Sequence, residues 1–147
     1  MKKKILSIAA CIILSATAAF AGDRDINKDV QTSFAHSFGN ATAVNWQNNN
    51  SYFSARFQLD GHSLTALFAT DGNLIAVSEN ILSTTLPASL QNLLRKNFTA
   101  FWVSDLVKYD VAGETKYYAT VQNADRTTVL ESIGDEEWSI LKETDKR

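Results

Sequence analysis

The sequence holds one cysteine, Cys11, and one methionine, Met1, and both fall in an opening segment that reads as a leader. Lys2, Lys3 and Lys4 form a basic start, Ile5 to Thr17 is an unbroken run of apolar and small residues, and Ala19-Phe20-Ala21 supplies an A-x-A cleavage signal before Gly22. This pattern predicts a secretory signal peptide over residues 1–21, cut after Ala21, too short and wrongly flanked for a membrane span. Ile8-Ala9-Ala10-Cys11 is similar to a lipoprotein box, but only six residues separate Cys11 from the lysines. The apolar region would then be stunted, and Cys11 is read as an ordinary residue of a discarded segment. The mature chain from Gly22, about 126 residues, is expected to be cysteine-free although exported. That excludes disulfide staples, thiol chemistry and thiolate metal sites, so a core of single-domain size must suffice.

Positive charge is also scarce. Without the three leader lysines, eleven basic side chains face sixteen acidic ones, a net charge of −5. A mildly acidic chain with dispersed charges lacks the electrostatic footprint for nucleic acid or anionic lipid. No apolar run after the leader approaches membrane-spanning length, so a soluble product is expected.

What is present is periodicity. Ile26, Val30, Phe34 and Phe38 recur every four residues, the single stripe of an amphipathic helix over 25–38, ended by Gly39-Asn40. From Tyr52 the period becomes two: Phe53, Ala55, Phe57 and Leu59 lie on one side, and Tyr52, Ser54, Arg56 and Gln58 on the other. Asp60-Gly61 is a two-residue hairpin signal, and closing it pairs Phe57 with Leu64, Ala55 with Ala66 and Phe53 with Phe68. A second reversal at Asp71-Gly72 sets Phe68 against Ile75 and Ala66 against Val77, which places Ile75 and Val77 on the same buried face. Asp71 is read as a turn residue, not a cation ligand. A second helix is predicted near Pro87 with Leu90, Leu93, Leu94 and Phe98 as its stripe. Extended patterns then return through Val103 to Val111, Tyr117 to Val121, Thr128 to Leu130 and Trp138 to Ile140.

Matching Phe34 and Phe38 to Leu94 and Phe98, and Phe53-Ala55-Phe57 to Tyr117-Ala119-Val121, gives two copies of a helix followed by an antiparallel meander. The expected fold is therefore α+β, a tandem repeat of helix plus antiparallel β-meander, with units at about 25–80 and 86–142 inside one domain, 22–147.

The run Phe38-Gly39-Asn40-Ala41-Thr42-Ala43-Val44-Asn45-Trp46 resembles the PepSY-like, β-lactamase-inhibitor-like family of exported bacterial proteins. So do Tyr52, Phe57, Gly61, Ala66-Leu67-Phe68, Asp71-Gly72-Asn73-Leu74-Ile75, Leu86-Pro87 and Tyr117-Tyr118 with Leu130, spread over nearly the whole mature chain. The resemblance implies helices on one face of a curved antiparallel sheet whose other face is partly open. In the β-lactamase inhibitory proteins that lend the family its name, the open face grips an enzyme. The matching positions here are apolar and turn residues, which specify a fold better than an activity, and no inhibitory residue carries over.

No constellation of reactive side chains stands out. Asp23 to Asp29 offers alternate oxygen ligands, but the glycine and bidentate glutamate of a calcium loop are replaced by Lys28 and Phe34. His36 and His62 are the only histidines, and neither has a second histidine at ligand spacing; Asp60 and His62 lack any positioned serine. Glu136 and Glu137, adjacent on an extended segment, would point to opposite faces. Asn40, Asn49 and Asn97 match the N-glycosylation pattern, without meaning in a bacterial export product. Catalysis, a metal and a cofactor are not expected.

The aromatic residues are the informative group. Trp46 and Trp138 are expected in the core. Tyr52 and Tyr118 fall opposite the buried face, among Arg56, Gln58, Thr120 and Gln122, and Trp102 follows the second helix. Tyrosine, tryptophan and arginine are the residues on which protein interfaces concentrate binding energy. Tyr52, Arg56, Trp102 and Tyr118 are therefore the candidate contact surface of a non-enzymatic, exported binding or inhibitor-like module. Its expected partner is another exported protein, with no nucleic acid and no membrane. The second reading is an envelope-sensing domain that holds a peptide or lipid between helices and sheet.

Overall fold

The computed structural model describes residues 26–147; the expected leader and its cleavage site, and Asp23 to Asp25, lie outside the described residues. Helix α1, Lys28–Ser37, is followed by β1, Thr42–Asn48; β2, Tyr52–Leu59; β3, His62–Ala69; and β4, Leu74–Asn80. A 3₁₀ turn, Ser83–Thr85, leads into α2, Ala88–Asn97. Then come β5, Trp102–Val111; β6, Glu114–Gln122; β7, Arg126–Ile133; and β8, Glu137–Asp145.

All eight strands join one antiparallel sheet in the order β1 to β8. This overturns the expectation of an α+β tandem repeat of helix plus meander. β4 pairs with β5 through Val77 with Asp110, Ser78 with Tyr109 and Glu79 with Lys108, so the strands before and after α2 form a continuous ladder. An unpaired strand edge leaves a row of backbone donors and acceptors without partners, and pairing β4 with β5 removes two such edges at once. With only two ten-residue helices among the described residues, the architecture is mainly β. No helix among the described residues is long and apolar enough to cross a membrane.

The first hairpin follows the alternation read from the sequence. Phe53 faces Phe68, Ala55 faces Ala66 and Phe57 faces Leu64, and Asp60 and Gly61 both adopt positive φ, 50° and 83°. That is the two-residue type I′ geometry, whose twist matches the strands it joins. The second reversal is longer. Only Gly72 in it is left-handed, at φ 91°; its N–H donates to the Ala69 carbonyl at 3.0 Å, and Asp71 Oδ1 accepts from the Asn73 N–H at 3.0 Å. Asp71 thus closes the turn on itself. The extra residue shifts the register between Leu67 and Phe68, so Phe68 opposes Leu74. Ile75 is thereby displaced from the expected buried face and packs with Leu67 and Ala76 on the other. Val77 keeps its expected pairing with Ala66.

Both helices pack on one face. Under α1, Val30 and Phe34 meet Trp46, Phe53, Ala55, Phe57, Ala66 and Phe68. Under α2, Leu90 and Leu94 meet Leu86, Leu106, Ala119, Val121 and Leu130, with Trp138 donating from Nε1 to the Leu90 carbonyl at 3.0 Å. Trp46 is buried as expected, and Trp138 packs against the second cluster. Asn27 caps α1: its Oδ1 accepts from the Val30 N–H at 2.9 Å, and its Nδ2 donates to the Thr70 carbonyl at 2.6 Å, tying the helix to the β3–β4 turn.

Candidate functional site

Side chains alternate across a strand, so the residues between those of the helix-covered clusters face the other way. Leu67, between Ala66 and Phe68, and Tyr118, between Tyr117 and Ala119, are both buried in a third cluster with Ala76 and Tyr109. Tyr52, Ile75, Val107 and Val111 pack around it, and neither helix contributes a residue. The face without helices therefore carries an apolar, tyrosine-rich centre of its own.

The rings of Tyr109 and Tyr118 meet edge to face, 5.2 Å between centroids and 83° between planes. The Tyr118 hydroxyl donates to Glu131 Oε1 at 2.9 Å, and Lys116 Nζ donates to the same oxygen at 2.7 Å. Burial first, then the neighbouring Glu131 carboxylate, holds the Tyr118 hydroxyl well above its ordinary titration range. Tyr109 is also raised by burial, against a hydrogen bond with Ser78 that pulls the other way. Both tyrosines stay neutral at ordinary pH, so this buried centre combines apolar side chains with hydroxyl groups.

Strand register sets the surroundings. One cross-strand row runs Asn45, Arg56, Thr65, Ser78, Tyr109, Lys116. Arg56 and Tyr109 lie three strands apart in it, about 14 Å at the usual spacing. Arg56 is exposed, and no ion pair engages it among the described residues. A second row runs Asn80, Val107, Tyr118, Glu131, Ser139.

Of the residues singled out by sequence, the fold brings Tyr52 and Tyr118 into one cluster, Tyr118 at its buried centre and Tyr52 half-buried at its border. Arg56 lies on the same face, four residues along β2 from Tyr52. Trp102 pairs with Gln122 and so shares this face, but four residues along β6 from Tyr118, about 13 Å away. It is 53% exposed, with the Lys146 ammonium 5.3 Å from its ring centroid. Sequence reasoning missed Leu67, Ala76, Val107, Tyr109 and the Lys116–Glu131 pair. Carrying the parity of Tyr118 across β5 would have found Val107 and Tyr109; the position of Ile75 could not be read, because it depends on the bulge.

The remaining candidates lie elsewhere. His62 Nδ1 is 2.6 Å from Glu79 Oε1 at the sheet's end, and His36 is exposed in the last turn of α1. Glu136 and Glu137 are exposed around the last turn. No group of three or more metal-ligating side chains occurs among the described residues.

No family model matches the chain, and no curated protein matches it. Solved structures do. A BLIP-like protein from Bacteroides fragilis superposes with a TM-score of 0.67 at 22% identity, over 81% of this chain and 85% of its own. A candidate periplasmic protein from Bacteroides eggerthii gives 0.71 at 14% identity over 81% and 88%. A DUF2874 family protein from Bacteroides ovatus gives 0.73 at 17% identity over 84% and 89%. This chain has the fold these proteins share. The resemblance read from the sequence is supported in its β-lactamase-inhibitor-like part and not in its PepSY-like part.

Proposed function

We propose that this chain is an exported, non-enzymatic binding module that contacts another exported protein through the face of its sheet that carries no helix. The observation that carries the reading is the cluster of Leu67, Ala76, Tyr109 and Tyr118, bordered by Tyr52, on that face. That buried centre is bordered by half-buried Tyr52 and by exposed Arg56, which makes no ion pair among the described residues, and tyrosine and arginine are the residues on which hot spots concentrate binding energy. In this reading Tyr52 and Arg56 make direct contact, Tyr118 holds the platform beneath them, and Trp102 extends the contact toward the start of β5. The fold shared with a BLIP-like protein supports binding as the class of function and names no partner. Export by a signal peptide cut after Ala21 completes the proposal.

The test is capture from the periplasmic extract of the source cell. A variant carrying Tyr52→Ala, Arg56→Ala and Trp102→Ala should lose the protein that the native chain retains, and its melting temperature should stay within about 2 °C. Tyr118 is replaced only by Phe, because truncating a buried ring would unfold the platform. Undiminished capture by the triple variant would overturn the assignment of this face.

A further inference from the structure

The two helices do not cover the sheet equally. Trp46 lies opposite Ala55 beneath α1; in the corresponding place beneath α2, Leu106 lies opposite Ala119. Two residues beyond each alanine stand Phe57 and Val121. Beneath α1, Phe34 meets Trp46, Phe57 and Phe68 at centroid distances of 5.1, 5.0 and 6.2 Å. Beneath α2 the buried cluster is aliphatic, with Phe98, Phe101, Tyr117 and Trp138 only partly buried against it, and a cleft of about 410 Å³ opens between the helix, the 3₁₀ turn and the start of β5. That volume lies within the range of small-ligand sites, roughly 300–1,000 Å³.

The walls of the cleft are of two kinds. Leu94, Phe98, Val103 and Val121 are apolar, and Val103 keeps 41% of its surface exposed although it faces the helix-covered side. Among the described residues, Arg95 is the only charged one lining it. Its Nη2 donates to Gln91 Oε1 at 2.8 Å, and Gln91 Nε2 donates in turn to the carbonyls of Leu86 and Thr84 at 2.8 and 3.2 Å. The guanidinium is thus positioned along the wall with further N–H groups to offer. Ser83 and Thr99 add hydroxyls, and no carboxylate among the described residues lines the cleft to oppose an anion.

We propose that this cleft binds a free medium-chain carboxylate, its tail against Leu94, Phe98 and Val103 and its head group on Arg95. One cation beside an apolar trough selects for an acid with an alkyl tail, since a neutral ligand would leave the charge-assisted bonds of the guanidinium unused. The proposal is independent of the protein-binding face, which lies on the other side of the sheet.

The probes are sodium decanoate below its micellar concentration and 1-decanol, titrated into the mature protein by calorimetry with amide chemical shifts recorded in parallel. Decanoate should bind once and saturably, with shifts confined to residues 83–103 and Val121, and decanol should bind about tenfold more weakly. Arg95→Gln, an exposed change, should lower decanoate affinity about tenfold and leave decanol unaffected. Val103→Trp, which fills the trough, should abolish both while the circular dichroism spectrum stays native. Absence of saturable binding, equal affinity for acid and alcohol, or binding that survives Val103→Trp would overturn the proposal.

Discussion

The buried ground beneath α1 is mainly aromatic, whereas beneath α2 the buried residues are aliphatic and the rings of Phe98, Phe101, Tyr117 and Trp138 are only partly buried around them. Both helices nonetheless rest on the same sheet above a fully buried alanine, Ala55 or Ala119. The ends of the helices differ in the same sense. α1 starts on a side-chain cap that also reaches the β3–β4 turn, whereas α2 starts at Pro87 without a side-chain cap. Rings interlock under α1, with Phe34 against Phe38, Trp46, Phe57 and Phe68, while beside α2 a cleft lies between Leu94, Phe98, Phe101, Val103 and Val121.

The largest expected effect separates the two grounds directly. Phe34→Ala, which deletes a ring touching four others, should cost about 3–5 kcal/mol of unfolding free energy in urea titrations. Leu94→Ala, beside a cleft into which neighbours can relax, should stay near 2 kcal/mol, roughly the low end for such a truncation. Equal losses would erase the distinction.

The turns sharpen it next. A Cβ on Gly72 would lie 2.9 Å from the Asp29 carbonyl oxygen of α1, in addition to the left-handed backbone there. Gly72→Ala should therefore cost about 2–4 kcal/mol. Gly61→Ala, equally left-handed but with no atom within 4 Å of its Cβ, should cost only about 1–2 kcal/mol. The difference between them measures how tightly α1 is seated on the turn. Asn27→Ala, which removes the cap, should cost about 1 kcal/mol and increase amide exchange in the first turn of α1 while α2 is unchanged.

The smallest effect contrasts the helix-free face with both grounds. Burial and Glu131 raise the folded-state titration of Tyr118, so its stabilising contribution is complete below the unfolded tyrosine value, about pH 10, and is lost as pH climbs above it. Urea midpoints should hold up to about pH 10 and fall as pH climbs beyond it. Tyr118→Phe should flatten that fall, leaving the smaller share of Tyr109.

Local patterns were legible wherever one residue's periodicity was enough. The four-residue recurrence of Ile26, Val30 and Phe34 marked α1, and the alternation from Phe53 to Phe68 set the first hairpin register to the residue. Legibility failed where the chain gains a residue. The bulges at Ile75 and beside Ser104 flip the phase of the strand residues beyond them, and nothing in a run of small and apolar residues announces them. The candidate surface was half legible for that reason: Tyr52, Arg56 and Tyr118 have the right parity, while Tyr109 joins them only after the phase of β5 is known.

Sequence alone determined the two helices, the Asp60-Gly61 turn and the alternation of the first hairpin, because these arise from interactions within a few residues of each other. Tertiary structure decided that eight strands form one sheet, since joining β4 to β5 depends on a backbone ladder between Val77–Asn80 and Val107–Asp110, about thirty residues apart, which no side-chain pattern encodes. It likewise decided that the tyrosines of distant strands converge on the face without helices, because that requires the register of every intervening strand at once.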